Sequence, residues 1–407
     1  MNGKILLIYI AVFLASGLTK AEPVKKTMQI GGFEREYLVY IPQNSEYKKA
    51  DGMIVCLHGF TRTMYDFFEV YDIRYLSDSL NLIIAAPQAL KEQNPSVNFQ
   101  ADLINSLTNN QISLNSVWGC GLRVKASILG LTLLNEELNR DVDDVGFINK
   151  VIDNVLDEYS LPSDNVFILG TSMGGYMSYQ YALRSGERLS GLVSIAGSMG
   201  LSIKGMDNKI KTPVCDFHSV TDEVVPYTGT IEQHLGSVSL AMSKNEVIKY
   251  WTETNETESP VTEPVMNYTS TNGVTVEKIT YPHPENEVIH YKANGASHGY
   301  FFRKENGDCM DLIEEIIKFI DSHSSGTYNN VPNIMANNMS FYPNPVRDNI
   351  YFNTAAGTVS IFDIAGKKIY SQPFTSGQTD LSFLKPGIYI IRIQSENALT
   401  INKLIKQ

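Results

Sequence analysis

Between residues 28 and 321, short apolar runs alternate with segments of helical periodicity. No other feature constrains the fold of this chain as strongly. Met53–Leu57, Leu82–Ala86, Val166–Leu169, Leu192–Ala196 and Val214–His218 are brief, apolar and bounded by polar or turn residues. A strand that is apolar along its whole length has both faces covered, so these runs predict the inner strands of a mostly parallel sheet. Glu36–Ile41 alternates like a half-buried strand and stops at Pro42, and Glu287–Tyr291 predicts a late strand. From Asp143 to Glu158, Val145, Ile148, Val151, Ile152 and Val155 recur at helical spacing, with Asp143 and Asp144 as candidate caps. Glu246–Glu253 and Cys309–Ile320 predict further helices. Alternating strands and helices of this kind build an α/β, doubly wound sheet.

The pattern then changes. Residues 322–339 are rich in Ser, Asn, Gly and Pro and read as a linker. Beyond it, Asn349–Asn353, Val359–Phe362, Lys368–Tyr370, Gly387–Ile393 and Leu399–Ile405 are strand-like. Asp363–Gly366 and Lys385–Gly387 supply turns, so residues 340–407 predict a small all-β sandwich. At the other end, Lys4, the apolar run Ile5–Leu14 and the small residues Ala15, Ser16 and Gly17 have the order of a secretory signal over residues 1–21. That leaves residues 22–321 as the α/β domain, and 407 residues suit two domains.

The formal net charge of -11 argues against nucleic acid as a partner, because phosphate binding needs a basic surface. Neither CxxC nor HExxH spacing occurs, so no metal site and no cofactor is expected. Cys56 and Cys215 sit inside apolar runs, as buried thiols do. Cys120 and Cys309 have more polar surroundings and are the expected pair if one bridge forms.

Gly170-Thr171-Ser172-Met173-Gly174 matches G-x-S-x-G, directly after an apolar strand and before a helical pattern. In that strand–turn–helix setting the serine hydroxyl is lifted above the sheet edge, and the glycines leave room for the neighbouring elements. Ser172 is therefore the candidate nucleophile. A serine hydroxyl needs a base within hydrogen-bond reach, and on such a scaffold the chain order is serine, acid, histidine. Asp222, just past the strand Val214–Phe217, is the candidate acid, with Asp216 and Glu223 as rivals. His298, past the strand Glu287–Tyr291, is the candidate base, with His234, His283 and His290 as alternatives. The Met173 N–H and the Phe60 N–H are the expected oxyanion donors, with Thr61 in reserve and His58 bracing their loop. Trp118, Thr61 and Tyr300 are the candidates for contact with substrate.

Residues 28–320 resemble secreted esterases of the polyhydroxybutyrate depolymerase, LpqC-like and feruloyl esterase group, on the α/β-hydrolase fold. Arg35–Pro42, Leu57-His58-Gly59, Val117-Trp118-Gly119, Val142–Phe147, the Ser172 turn and Asp222 with Val225-Pro226-Tyr227 carry the resemblance, and Val247, Tyr250 and Trp251 match its late helix. It implies carboxylic-ester hydrolysis through an acyl-enzyme, with Ser172 as nucleophile, His298 as base then acid, and Asp222 orienting the imidazole. Ala296-Ser297-His298 and Trp118-Gly119 depart from the group's usual sequences. Residues 341–407 resemble the type A sorting domain of the type IX secretion system, through Phe341–Val346, Ile361–Gly366, Leu384–Tyr389 and Lys403–Gln407. That implies the type IX machinery as a partner and a secreted or surface-attached product. The leading expectation is an esterase for polysaccharide-linked feruloyl or acetyl esters of plant origin. A polyhydroxyalkanoate depolymerase, a prolyl-oligopeptidase-like peptidase and a non-catalytic surface binding protein are the alternatives.

Overall fold

The computed structural model describes residues 21–43, 49–107, 113–128, 131–203, 210–229, 237–325, 341–352, 356–363, 367–375, 377–394 and 399–407. The expected leader up to residue 20, His234, the linker beyond residue 325 and residues 364–366 of one expected turn lie outside them. The chain divides into two units, Met1–Gly326 and Thr327–Gln407.

The first unit contains β1 (Val24–Ile30), β2 (Phe33–Tyr40), β3 (Gly52–Leu57), β4 (Leu82–Pro87), β5 (Arg123–Ile128) and β6 (Leu131–Glu137). They are followed by β7 (Val166–Thr171), β8 (Gly191–Ile195), β9 (Val214–Ser219), β10 (Ser237–Leu240), β11 (Val261–Pro264), β12 (Thr275–Tyr281) and β13 (Val288–Asn294). Its helices are α1 (Asp66–Glu69), α2 (Arg74–Leu80), α3 (Pro95–Leu107), α4 (Asp144–Tyr159), α5 (Met173–Ser185), α6 (Lys244–Asn255) and α7 (Leu312–His323).

Ten strands form one sheet in the order β1-β2-β4-β3-β7-β8-β9-β13-β12-β11. The strip from β4 to β13 is parallel. The outer strands pair antiparallel on both sides. Every residue of β3, β4, β7, β8 and β9 is buried, as continuous apolar runs require. Strand side chains alternate between faces, so β3 sends Met53, Val55 and Leu57 into one core and Ile54 and Cys56 into the other. Residues of α4, α5 and α6 fill the first core. Residues of α1, α2 and α7 fill the second. The parallel strip, the β4–β3 crossing and the G-x-S-x-G turn at the end of β7 make this an α/β-hydrolase fold.

Helix α4 starts where Asp143 accepts a hydrogen bond from the Gly146 N–H at 2.8 Å. Asp144, the other candidate cap, turns inward instead and pairs with Arg35. A separate sheet, β10-β5-β6, joins residues 237–240 to a hairpin more than a hundred positions earlier in the chain.

In the second unit, β14 (Phe341–Tyr342), β15 (Asn349–Phe352) and β18 (Gln378–Asp380) form one sheet. A second sheet joins β16 (Gly357–Phe362), β17 (Lys368–Phe374), β19 (Gly387–Gln394) and β20 (Leu399–Lys406). All pairings between these strands are antiparallel, and Val359, Ile361, Ile391 and Ile393 alternate into the core. The aromatics divide between core and surface: Phe352 stacks on Phe374 inside, while Tyr342, Tyr351 and Phe383 are exposed.

The expected Cys120–Cys309 bridge does not form. All four thiols are free and buried. Cys120 packs in the first core and Cys309 in the second, with the sheet between them. Bridging needs Cα atoms within about 7 Å, a distance the intervening sheet denies. Burial pushes the Cys56, Cys120 and Cys215 thiols up. A thiol reagent is therefore expected to find four free thiols in unreduced, denatured protein and almost none in native protein.

Candidate active site

The Ser172 turn is held by close backbone packing. A Cβ on Gly174 would lie 1.8 Å from the Leu57 carbonyl oxygen, and one on Gly170 would lie 2.0 Å from the Gly174 carbonyl oxygen. Only glycine fits either position: at Gly174 the start of α5 presses against the end of β3, and at Gly170 it folds back against the end of β7. Ser172 itself has φ 52° and ψ -118°. A non-glycine residue there costs of order 1–3 kcal/mol and persists only where its surroundings over-determine it. Its N–H donates to the Ile195 carbonyl at 2.7 Å, and its carbonyl accepts from Gly175 and Tyr176 as the helix begins. The side chain therefore projects from the end of β7, beside the positive end of α5.

Two later loops meet it there. His298 follows β13, and its Nε2 lies 2.9 Å from Ser172 Oγ. Its Nδ1 lies 2.7 Å from Asp222 Oδ2, and Asp222 follows β9. With the Nδ1–H donating to a carboxylate, Nε2 is left to accept the serine proton. Asp222 Oδ1 accepts from the Val224 and Val225 N–H groups at 2.9 and 2.8 Å. Burial opposes the charge on Asp222, but the His298 hydrogen bond and charge and the Val225 N–H outweigh it and hold the carboxyl below its ordinary value. The Asp222 side chain is 1% exposed and that of His298 20%, so the imidazole is the part of the pair open to solvent.

The loop after β3 passes beside the serine: a Cβ on Gly59 would sit 3.3 Å from Ser172 Cβ. Its shape is set by His58, which is buried. The His58 Nδ1–H donates to the Gly59 carbonyl at 2.8 Å, while Nε2 accepts from the Ala89 N–H at 3.1 Å. Burial pushes His58 down to about 4, so it is neutral and serves as a brace. The Thr61 N–H donates to the Ser116 carbonyl, which removes Thr61 from the reserve of oxyanion donors. The Phe60 and Met173 N–H groups donate to no acceptor among the described residues.

Trp118 stands behind this loop rather than in front of it. It is fully buried; its Nε1–H donates to the His58 carbonyl at 2.9 Å, and its ring lies against the imidazole. The expectation that it lines the substrate pocket is corrected on that ground. Asp144 anchors the same turn by accepting from the Gly119 N–H at 2.7 Å, and Arg35 pairs with Asp144 at 2.6 Å with both side chains buried. The Arg35 guanidinium also lies over the Phe147 ring. The Arg35 and Asp144 motifs thus support the loop beside Ser172 through Trp118 and His58, a role that only packing reveals.

The rival residues are engaged elsewhere. Asp216 is fully buried and accepts from Lys244, Tyr179 and His290 at 2.7, 2.8 and 2.8 Å. Burial opposes its charge, but Lys244 and His290 hold its carboxyl well below the usual range. His283 accepts from the Glu285 and Asn286 N–H groups, and Glu223 is exposed. Tyr300 follows His298 and donates to Asp308 at 3.2 Å. Thr61 is exposed, with φ 60°.

The comparisons with known proteins bear on both units. No curated protein matches the chain. Among solved structures, an acetyl xylan esterase from Aspergillus awamori is 13% identical, with 73% of this chain and 99% of that one covered at a TM-score of 0.46. An S-formylglutathione hydrolase from Agrobacterium tumefaciens is 12% identical, with 74% and 91% covered at 0.40. A ferulic acid esterase is 17% identical, with 43% and 60% covered at 0.29. Residues 135–250, which include the Ser172 turn and Asp222, match the Phospholipase/Carboxylesterase family, and residues 340–407 match the Secretion system C-terminal sorting domain.

Proposed function

We propose that the chain is an exported serine hydrolase of carboxylic esters that works through an acyl-enzyme. The carrying observation is the unbroken row Asp222–His298–Ser172, with hydrogen bonds of 2.7 and 2.9 Å, at a strained turn beside the start of a helix. In this reading Ser172 Oγ attacks the ester carbonyl while His298 Nε2 takes its proton. The carbonyl oxygen gains negative charge and is met by the Met173 and Phe60 N–H groups. His298 returns the proton to the leaving alkoxide as the ester C–O bond breaks. It then takes a proton from water, whose oxygen attacks the acyl carbon; the acyl–Oγ bond breaks, and His298 hands that proton to Ser172 Oγ as the acid leaves. Asp222 stays ionised throughout and keeps the imidazole in the required tautomer.

The sorting-domain match over residues 340–407 supports a substrate outside the cell, reached through the type IX machinery. Feruloyl or acetyl esters on plant polysaccharide suit that setting and the resemblance of the first unit. Purified protein is expected to hydrolyse methyl ferulate or acetylated xylan as well as short-chain nitrophenyl esters. Release of hydroxybutyrate from poly(3-hydroxybutyrate) film, or cleavage of prolyl peptides alone, would move the assignment. Loss of ester turnover by several orders of magnitude is expected for Ser172→Ala, with the thermal melt unchanged. Wild-type turnover in that variant contradicts the nucleophile.

Trp118→Phe keeps an apolar ring but removes the donor to the His58 carbonyl. If Trp118 shapes the oxyanion loop, kcat falls about tenfold while KM stays within about threefold, because the donors act on charge that develops only in the transition state. Inhibition by a trifluoromethyl ketone, whose oxyanion occupies the same place, weakens in parallel. A rise in KM with kcat unchanged would instead return Trp118 to the substrate pocket.

A further inference from the structure

We propose that Thr221 is a positioning residue that locks the loop carrying Asp222 to the loop carrying His298. The inference rests on the hydrolase reading above. The two loops leave neighbouring parallel strands, in which Ser219 of β9 is the register partner of Ala293 of β13. One more backbone bond follows, from the Val220 N–H to the Ala293 carbonyl at 2.9 Å. Past that point the backbone ladder ends, and the loops run on to Asp222 and His298.

The Thr221 hydroxyl takes over where the ladder stops. It donates to the Ala296 carbonyl at 2.9 Å and accepts from the Gly295 N–H at 3.1 Å. Ser219 Oγ lies 2.9 Å away. A hydroxyl has one proton and two lone pairs. With its proton on Ala296, Thr221 can only accept from Ser219, so all its bonding capacity is used. Among the described residues, the side-chain ties between the two loops are these Thr221 bonds and the Asp222–His298 bond itself.

The loop being held has little stiffness of its own. Gly295 at φ 89° and Gly299 at φ 61° flank His298 on either side. Thr221 is adjacent to Asp222, and Ala296 lies two positions before His298, so the clasp sets the spacing of acid and base directly. Without it, the Asp222–His298 bond alone must hold a loop with a glycine at each end. Displacing a catalytic group by about 1 Å costs up to about a hundredfold in rate.

Thr221→Val and Thr221→Ala remove the hydroxyl at an exposed position and are expected to fold. Each should lower kcat on a nitrophenyl ester about tenfold with KM within about threefold. The rate of Ser172 labelling by a fluorophosphonate should fall by a similar factor. Thr221→Ser, which keeps the hydroxyl, should restore most of both rates. Wild-type kcat in folded Thr221→Val, a loss that Thr221→Ser fails to restore, or a lower melting temperature with kcat and labelling unchanged overturns the proposal. Wild-type protein that is folded yet neither turns over esters nor labels at Ser172 overturns the hydrolase reading instead, and this inference with it.

Discussion

The start of α5 packs against the end of β3 so closely that the Leu57 carbonyl leaves no room for any side chain at position 174. Much else follows from that contact. It forces the sharp corner at Ser172, holds it in a backbone region that costs of order 1–3 kcal/mol, and aims its hydroxyl beyond the sheet edge. The same contact brings the loop after β3, with Gly59 and Phe60, alongside the serine. One steric constraint thus places both a serine hydroxyl and a stretch of backbone N–H groups at the same spot.

Two further layers hold that arrangement. On one side, Arg35, Asp144, Trp118 and His58 form a buried succession of contacts ending at the Gly59 carbonyl. On the other, Thr221 and the Val224 and Val225 N–H groups fix the Asp222 loop. A third group, Asp216 with Lys244, His290 and Tyr179, lies buried between β9, β13, α5 and α6. A buried pair of this kind is weak evidence for net stability, because desolvation offsets most of the Coulomb gain. Its satisfied hydrogen bonds nevertheless fix how those elements pack beneath the two loops.

The inner strands were readable from sequence because each is covered on both faces and has no reason to carry polar residues. The Ser172 turn was readable because its glycines answer a local steric demand. Asp222 and His298 are candidates on strand order alone, since each lies in a loop that begins where a strand-like run ends. What the sequence hid were relations across the sheet. Cys120 and Cys309 looked alike in their local surroundings, yet they sit in opposite cores. Trp118 looked like a pocket residue, and its burial behind His58 shows only in three dimensions. Asp144 was indistinguishable from Asp143 as a cap until its pairing with Arg35, over a hundred positions away, was seen. The β10-β5-β6 sheet has no sequence signature, because antiparallel pairing between distant segments leaves no local periodicity.

In the proposed mechanism Ser172 forms a covalent bond with the acyl group of an ester. Acid quench during turnover of a nitrophenyl ester, followed by peptide mapping by mass spectrometry, checks for that bond. An acyl adduct is expected on the peptide carrying Ser172, accumulating when water attack is slower than acylation and lost on incubation before the quench. Turnover with no adduct on Ser172, or an adduct on another residue that persists in Ser172→Ala, would contradict it.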